Sequence, residues 1–415
     1  MKALFLSVTA GCGHNSAAKS VMSHLEEKGF QCALLDTFEY INPVLSESIS
    51  KCNFASTKFT PGVYDKLYRL AEKKSKKLSD FSVSKLISSI LSRKLIKYIS
   101  DFKPDVIVCT HVFSAQIVTA MKKKNISVKS IGIITDFTVH PFWEETDLDY
   151  YVTASELLNF QVERKGISLD KVLPVGIPIH KKFSKKIGRQ EAREILGIED
   201  KTSILIMSGG TGHGSLLKLI RKLDKLDMDF QILSVCGSNK KLKKKIDKFM
   251  GEKKVYNYGY IDNVDLMMDA ADCIITKPGG LTISESLAKE LPLILMKPIP
   301  GQEERNAEFL LNNGLAVKIT PTFTPEEAVF QLLIKNSKYK NGRDFIKSFG
   351  KPDSSKDLGE FIETLVKDNK TKVLSCFHPE IRINKNSNFL KSPLNFILTR
   401  QGTAKFSYLS KSREI

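Results

Sequence analysis

Ala3-Leu4-Phe5-Leu6-Ser7-Val8 leads at once into Thr9-Ala10-Gly11-Cys12-Gly13-His14, and a helical pattern begins at Ala17. A short, almost wholly apolar run of this kind reads as a strand buried on both faces, as in a parallel sheet. Glycines between such a strand and a helix let a ligand approach the backbone, and the helix N-terminus behind them favours an anion. The same unit recurs twice. Residues 203–207 precede Ser208-Gly209-Gly210-Thr211-Gly212-His213-Gly214, and residues 273–276 precede Lys277-Pro278-Gly279-Gly280-Leu281-Thr282-Ile283-Ser284-Glu285.

Outward from these loops, the alternation fills most of the chain. Residues 3–8, 32–35, 105–109, 129–135, 150–153 and 172–175 read as parallel strands, with helices such as 17–28, 115–123 and 156–165 between them. A linker without a long apolar run follows, from 178 to about 201. The rhythm then restarts with strands at 203–207, 231–236, 255–258, 273–276, 293–296 and 316–319, and a last helix at 357–366. Alternating βα units require parallel sheets covered on both faces. The expectation is therefore an α/β protein of two doubly wound, Rossmann-like domains facing a cleft, where such sheets bind ligands. The first domain is placed at 1–180, with a basic insert at 37–103, the second at 181–368, and a basic tail, disordered or ordered late, at 369–415.

Composition agrees with a folded protein. Of 415 residues, 42% are apolar and 27% charged, which excludes wholesale disorder and fibrous classes. No stretch approaches 18 consecutive apolar residues, so no membrane span is expected, and the run at 3–8 is too short for a secretory signal. The 7 cysteines are scattered without a Cys-x-x-Cys pair, which fits a reducing compartment and gives no zinc site. The reading is a cytoplasmic protein.

The net charge of +18 is concentrated: residues 66–103 carry 11 basic and 3 acidic side chains, and residues 369–415 carry 9 and 2. Such clustering suits a polyanion, either an anionic membrane surface or nucleic acid, and a solvated lysine-rich surface gives the same pattern. No zinc-finger spacing or RNA-binding signature accompanies the charge, and aromatics are not interleaved with it, so nucleic acid is not the expected partner. Val83, Leu86, Ile87, Ile90, Leu91, Leu95, Tyr98 and Ile99 recur at helical spacing, an amphipathic basic helix for which core packing outweighs membrane contact. The less regular Phe54, Phe59, Pro61, Val63 and Tyr64 suit a lipid-facing loop better.

The loops carry the candidate chemistry. The first has Gly-x-Gly-His with Ser16 in the third glycine position, a weak dinucleotide signal. His14, at a helix N-terminus, has its cation disfavoured by the dipole and so reads as a neutral base, the alternative being a simple helix cap. The Ser208–Gly214 loop lacks Gly-Lys-Thr and is not a Walker A loop, yet it can cradle phosphate. Thr282 stands at a helix start, and Glu285 can accept hydrogen bonds from vicinal ribose hydroxyls unless it is a capping-box glutamate. Gln302, Glu303 and Asn306 in Pro300-Gly301-Gln302-Glu303-Glu304-Arg305-Asn306 offer amide and carboxylate groups suited to sugar hydroxyls, and Gly259-Tyr260-Ile261 can present backbone to a base edge. All follow second-domain strands, which reads as a nucleotide-sugar site. Asp147-Leu148-Asp149 has metal-binding spacing but lies outside that site, as a solvated loop.

In these motifs the sequence resembles the monogalactosyldiacylglycerol synthase and processive diacylglycerol glucosyltransferase family. The match rests on Gly11-Cys12-Gly13-His14-Asn15-Ser16-Ala17-Ala18 paired with the segments 277–286 and 300–306. Thr135-Asp136-Phe137-Thr138-Val139-His140-Pro141-Phe142-Trp143 resembles the family's acceptor-side motif. The resemblance covers roughly residues 1–366. It implies a GT-B fold and inverting transfer of a hexose from a UDP-sugar, a substrate rather than a cofactor, to a hydroxyl of diacylglycerol or a related glycerolipid. It makes His14 the base, assigns Gly210, Thr211, Tyr260, Gly280, Leu281, Thr282 and Glu285 to UDP, and Gln302, Glu303 and Asn306 to the donor sugar side. Gly13, Asp136, His140 and Trp143 fall on the acceptor side. No obligatory metal is expected, and attachment is expected at the cytoplasmic face of the membrane. The competing readings are a UDP-sugar 2-epimerase, a basic nucleic-acid-binding protein, and a non-catalytic paralogue.

Overall fold

A computed structural model describes residues 1–8, 12–41, 91–123, 128–209, 216–334 and 345–367. Every expected strand forms. The first sheet contains β1 (Lys2–Ser7), β2 (Gln31–Asp36), β3 (Val106–Cys109), β4 (Lys129–Ile133), β5 (Tyr150–Val152) and β6 (Val172–Leu173), in the order β2-β1-β3-β4-β5-β6. The second contains β7 (Ser203–Met207), β8 (Gln231–Val235), β9 (Val255–Tyr258), β10 (Cys273–Thr276), β11 (Leu293–Leu295) and β12 (Ala316–Lys318), in the order β12-β11-β10-β7-β8-β9. All pairs are parallel, with Ala3 opposite both Cys32 and Val106, and Ile274 opposite Leu205 and Leu293.

The apolar runs explain this. Ala3, Leu4, Phe5 and Leu6 are all fully buried, as are Ile204, Leu205 and Ile206, because helices cover both faces of each sheet. One apolar cluster runs from Leu4 and Ile107 through Ile177 to Leu205 and Leu293, so both sheets share a core. In each sheet the chain reverses its direction of winding at one crevice, between β1 and β3 and between β7 and β10. Open parallel sheets bind ligands at such crevices, beyond the carboxyl ends of the strands. The helix that carries His14 follows β1 in the chain, and Lys277–Gly280 follow β10.

Several expectations change. The linker between the sheets contains the helix Arg189–Leu196, with Ala192 and Arg193 buried and Arg193 bonded to Asp200 and Asp272, each at 2.7 Å. The last helix, Ser354–Lys367, packs back on the first half of the chain. Ser354 Oγ donates to Ile177 O (3.0 Å), Phe361 stacks edge-on to Tyr150 (4.8 Å), and Gly359 makes room for the His24 ring. Trp143 is 4% exposed and packs over Gly132, where a Cβ would lie 2.8 Å from the indole, so it is a core side chain rather than an acceptor contact. The Asp147–Asp149 segment is not a solvated loop either. Leu148 is fully buried, and Asp149 Oδ2 accepts from Ser130 N (2.8 Å), Ser130 Oγ (2.7 Å) and Lys122 Nζ (2.8 Å).

Of the basic insert, the helices Thr37–Ile41 and Leu91–Phe102 are described. Leu95 and Ile99 are buried while Lys94 and Lys97 are exposed, so this part of the amphipathic helix packs on the core. Residues 42–90, the tail from 368, and Gly210 and Thr211 lie outside the described residues. Among the described residues no helix is long and apolar enough to cross a membrane, and no group of three His, Cys, Asp or Glu side chains is arranged to hold a metal ion.

Candidate active site

The helix Cys12–Glu27 begins two residues before His14, which places the imidazole in its first turn. His14 Nδ1 lies 2.7 Å from Thr110 O, at the end of β3, and 3.1 Å from Thr135 Oγ1, beyond β4. A carbonyl oxygen only accepts, so Nδ1 carries the hydrogen and Nε2 keeps a free lone pair. Burial lowers the pKa of His14, while the nearby Asp136 carboxyl and the Thr110 carbonyl oppose that shift. The result is an oriented imidazole whose cation burial disfavours.

His111 stands edge-on to His14 at 4.7 Å. Its Nδ1 accepts from Phe113 N (3.2 Å), capping the helix Val112–Lys122, and burial together with His14 and His140 disfavours its cation. His140 caps a 3₁₀ turn through Phe142 N (3.1 Å), and burial pushes its pKa down to about 4, aided by Lys165. Asp136, by contrast, is pushed up by burial, against a hydrogen bond from Asn306 and the pull of His14.

On the other side, Gly279 caps the helix Gly280–Ala288, whose first intrahelical bond runs from Ile283 N to Gly279 O (3.0 Å). The amides of Gly280, Leu281 and Thr282 therefore have no intrahelical acceptor, and a helix N-terminus of this kind favours an anion. Gly280 has a steric reason to be glycine, because a Cβ there would lie 2.0 Å from Thr135 O. A Cβ at Gly13 would lie 3.9 Å from Leu281 Cβ. The N-terminus of the helix that carries His14 therefore lies against the N-terminus of the helix Gly280–Ala288.

Thr282 and Glu285 are half-buried. With Gly279 at the cap, the third helical residue is Thr282, so Glu285 is not the capping-box partner. Burial pushes its carboxyl up to about 8, with Asp265 adding to this and Lys182 opposing. A carboxyl in such a place gains most from a ligand that donates to it. Gln302 starts the helix Gln302–Asn312 after Gly301, whose φ of 98° lies in the left-handed region. Glu304 supplies the capping bond to Gly301 N (3.3 Å), while Glu303 Oε2 accepts from Ile299 N (2.7 Å) and is pushed up by burial. Tyr260 is 70% exposed after β9.

Asn306 differs from its expected place. It is fully buried, and it bridges the halves of the chain: Nδ2 donates to Asp136 Oδ1 (2.9 Å) and Pro278 O (3.0 Å), and Oδ1 accepts from Phe137 N (2.8 Å). Its amide is spent on protein partners rather than presented to the cleft. Sequence reasoning also passed over Thr110 and His111. Their signal was available, because both follow an apolar strand that pairs with β1.

Comparison with known proteins finds two family matches. The family described as "Monogalactosyldiacylglycerol (MGDG) synthase" matches residues 14–179, and "Glycosyltransferase family 28 C-terminal domain" matches residues 203–344. A processive diacylglycerol beta-glucosyltransferase of Bacillus cereus is 30% identical over 379 residues, covering 89% of this chain and 94% of that one. Its Bacillus mycoides counterpart is 29% identical over 377 residues, with the same coverage. The fold is shared with Acinetobacter baumannii MurG at a TM-score of 0.59 and 14% identity, over 88% of this chain and 99% of that one. The chain belongs to the monogalactosyldiacylglycerol synthase and processive diacylglycerol glucosyltransferase family, built on the two-sheet GT-B fold.

Proposed function

We propose that the chain is an inverting glycosyltransferase that moves a hexose from a UDP-sugar to a hydroxyl of diacylglycerol or a related membrane glycerolipid. One observation carries this reading above the others: the base at His14 abuts the anion-binding turn at Gly280–Thr282, through the approach of Gly13 to Leu281. That juxtaposition serves a displacement in which a proton is removed and a phosphate departs in one step.

In that step Thr110 O holds Nδ1–H, and Nε2 of His14 takes the proton of the acceptor hydroxyl. The acceptor oxygen forms its bond to C1 of the sugar, while the bond from C1 to the β-phosphate oxygen breaks and its electron pair leaves with UDP. The amides of Gly280, Leu281 and Thr282 face the growing charge. Glu285 serves the ribose hydroxyls, and Gln302 and Glu303 the sugar. A base on the face opposite the leaving group gives inversion at C1.

A diacylglycerol acceptor resides in a bilayer, so we assign the protein to the cytoplasmic membrane surface as a peripheral enzyme. The basic segment 66–103 suits attraction to anionic lipid. UDP release measured with and without diacylglycerol tests the activity, and mass spectrometry of the lipids formed from each UDP-sugar identifies the hexose. UDP-sugar consumption that ignores diacylglycerol but yields the C2 epimer would return the protein to the epimerase reading.

A further inference from the structure

His14 and Asn306 stand 292 positions apart in the sequence, yet Asp136 connects them. Asn306 donates to Asp136 at 2.9 Å, and Asp136 and His14 each favour the charged form of the other. Thr135, the residue before Asp136, lies 3.1 Å from His14 Nδ1 through its hydroxyl and presses its carbonyl against Gly280. We infer that Asn306 is a positioning residue for the transfer reaction, holding the Asp136 carboxyl in place beside His14, so that the second half of the chain tunes a base carried by the first. The inference rests on the assignment of His14 as that base.

Burial drives Asp136 toward its neutral form, and the bond from Asn306 is the leading influence against it, followed by His14 itself. When His14 takes the acceptor proton, an imidazolium forms in a half-buried site where isolated charge is costly. Thr110 O steadies one nitrogen, and the Asp136 charge steadies the ring as a whole. Other titratable groups surround the pair. His111 lies edge-on to His14 with its cation disfavoured, and His140 beyond it is neutral near pH 7. Glu303 feels Asp136 as a like charge, and Lys277 opposes that influence on Glu303. Without Asn306, Asp136 loses the leading influence that opposes its neutral form, and the support its carboxyl gives a His14 cation weakens.

The test uses the full chain labelled with ¹³C-histidine, titrated by NMR without substrate, beside kcat and KM for the UDP-sugar as functions of pH. Asp136→Asn keeps the shape of the side chain and removes only its charge. Asn306→Ala and Asn306→Ser remove the donor, the serine guarding against a folding failure in the alanine variant. Each single change is expected to move the His14 titration to lower pH and to cut kcat by about 10- to 100-fold, within the range a general base supplies. KM for the UDP-sugar should stay within about threefold, the mark of an interaction used in transfer rather than in binding. The double variant should shift His14 no further than Asp136→Asn alone, because the two act in series. A His14 titration unmoved by either Asn306 change overturns the inference. So does a raised KM with kcat intact, which assigns Asn306 to the donor sugar. Should His14→Ala keep its turnover, the base assignment falls while the NMR coupling stays readable.

Discussion

Replacing Glu285 with glutamine tests whether its carboxyl reads the ribose. The free site holds this carboxyl at about 8, because burial disfavours its charge. At pH 6 only about 1% is then ionised, and at pH 8.5 about three quarters. Each bond to a charged acceptor is worth about 1 kcal/mol more than one to a neutral acceptor, so over two ribose hydroxyls the charged form gains about 1.5–3 kcal/mol, roughly 10- to 150-fold in affinity. Uridine, which has no phosphate to titrate, should therefore bind about 10- to 40-fold more tightly at pH 8.5 than at pH 6. Binding near pH 7 should release between about half a proton and one, measured by calorimetry in buffers of different ionisation enthalpy. Glu285→Gln should bind weakly at both pH values and release none. The sign for stability is opposite. The folded state keeps a proton that the unfolded chain loses above about pH 4.5, so stability from this group is present at low pH and falls as pH rises toward 8, by up to about 1.4 kcal/mol per unit. Glu285→Gln should accordingly have a higher urea midpoint than the wild type at pH 8 and nearly the same one at pH 5. Uridine affinity that is flat with pH, or an equal dependence in the glutamine variant, would refute the reasoning.

His14→Ala should lower turnover by about two to four orders of magnitude with UDP affinity nearly intact, checked by steady-state kinetics beside UDP titration. Gly280→Ala places a methyl 2.0 Å from Thr135 O, where backbone must move. It should cost about 1–3 kcal/mol in chemical denaturation and lower turnover as well, whereas the same change at Gly279, where nothing lies within 4 Å of a Cβ, should be milder. Neutralising Lys73, Lys74, Lys76 and Lys77 should weaken flotation with anionic vesicles by up to about 1 kcal/mol per charge, less in high salt, and leave UDP binding alone. Turnover should survive dialysis against a chelator, since backbone amides are assigned to the leaving phosphate; a loss restored by added divalent cation would overturn that assignment.

The sequence by itself determined both sheets and the positions of the loops. A parallel strand covered on both faces must be apolar along its length, so residues such as Ala3–Leu6 and Ile204–Ile206 announce themselves without knowledge of their neighbours. Glycine turns between strand and helix mark phosphate sites because few other residues let the backbone come so close, and this is why His14, Leu281, Thr282 and Glu285 were legible. Only the tertiary structure decided what those residues touch. The acceptor that fixes the His14 tautomer is the Thr110 carbonyl, and a main-chain carbonyl has no residue type to read. Trp143 stood in an acceptor-side motif yet fills the space above Gly132, and Asn306 stood in a donor motif yet bonds Asp136, 170 positions away. The last helix packs on Tyr150 and His24 rather than on the strands that precede it. These outcomes depend on distances between segments far apart in the chain. Local patterning sets which face of an element is buried, and packing alone sets what it is buried against.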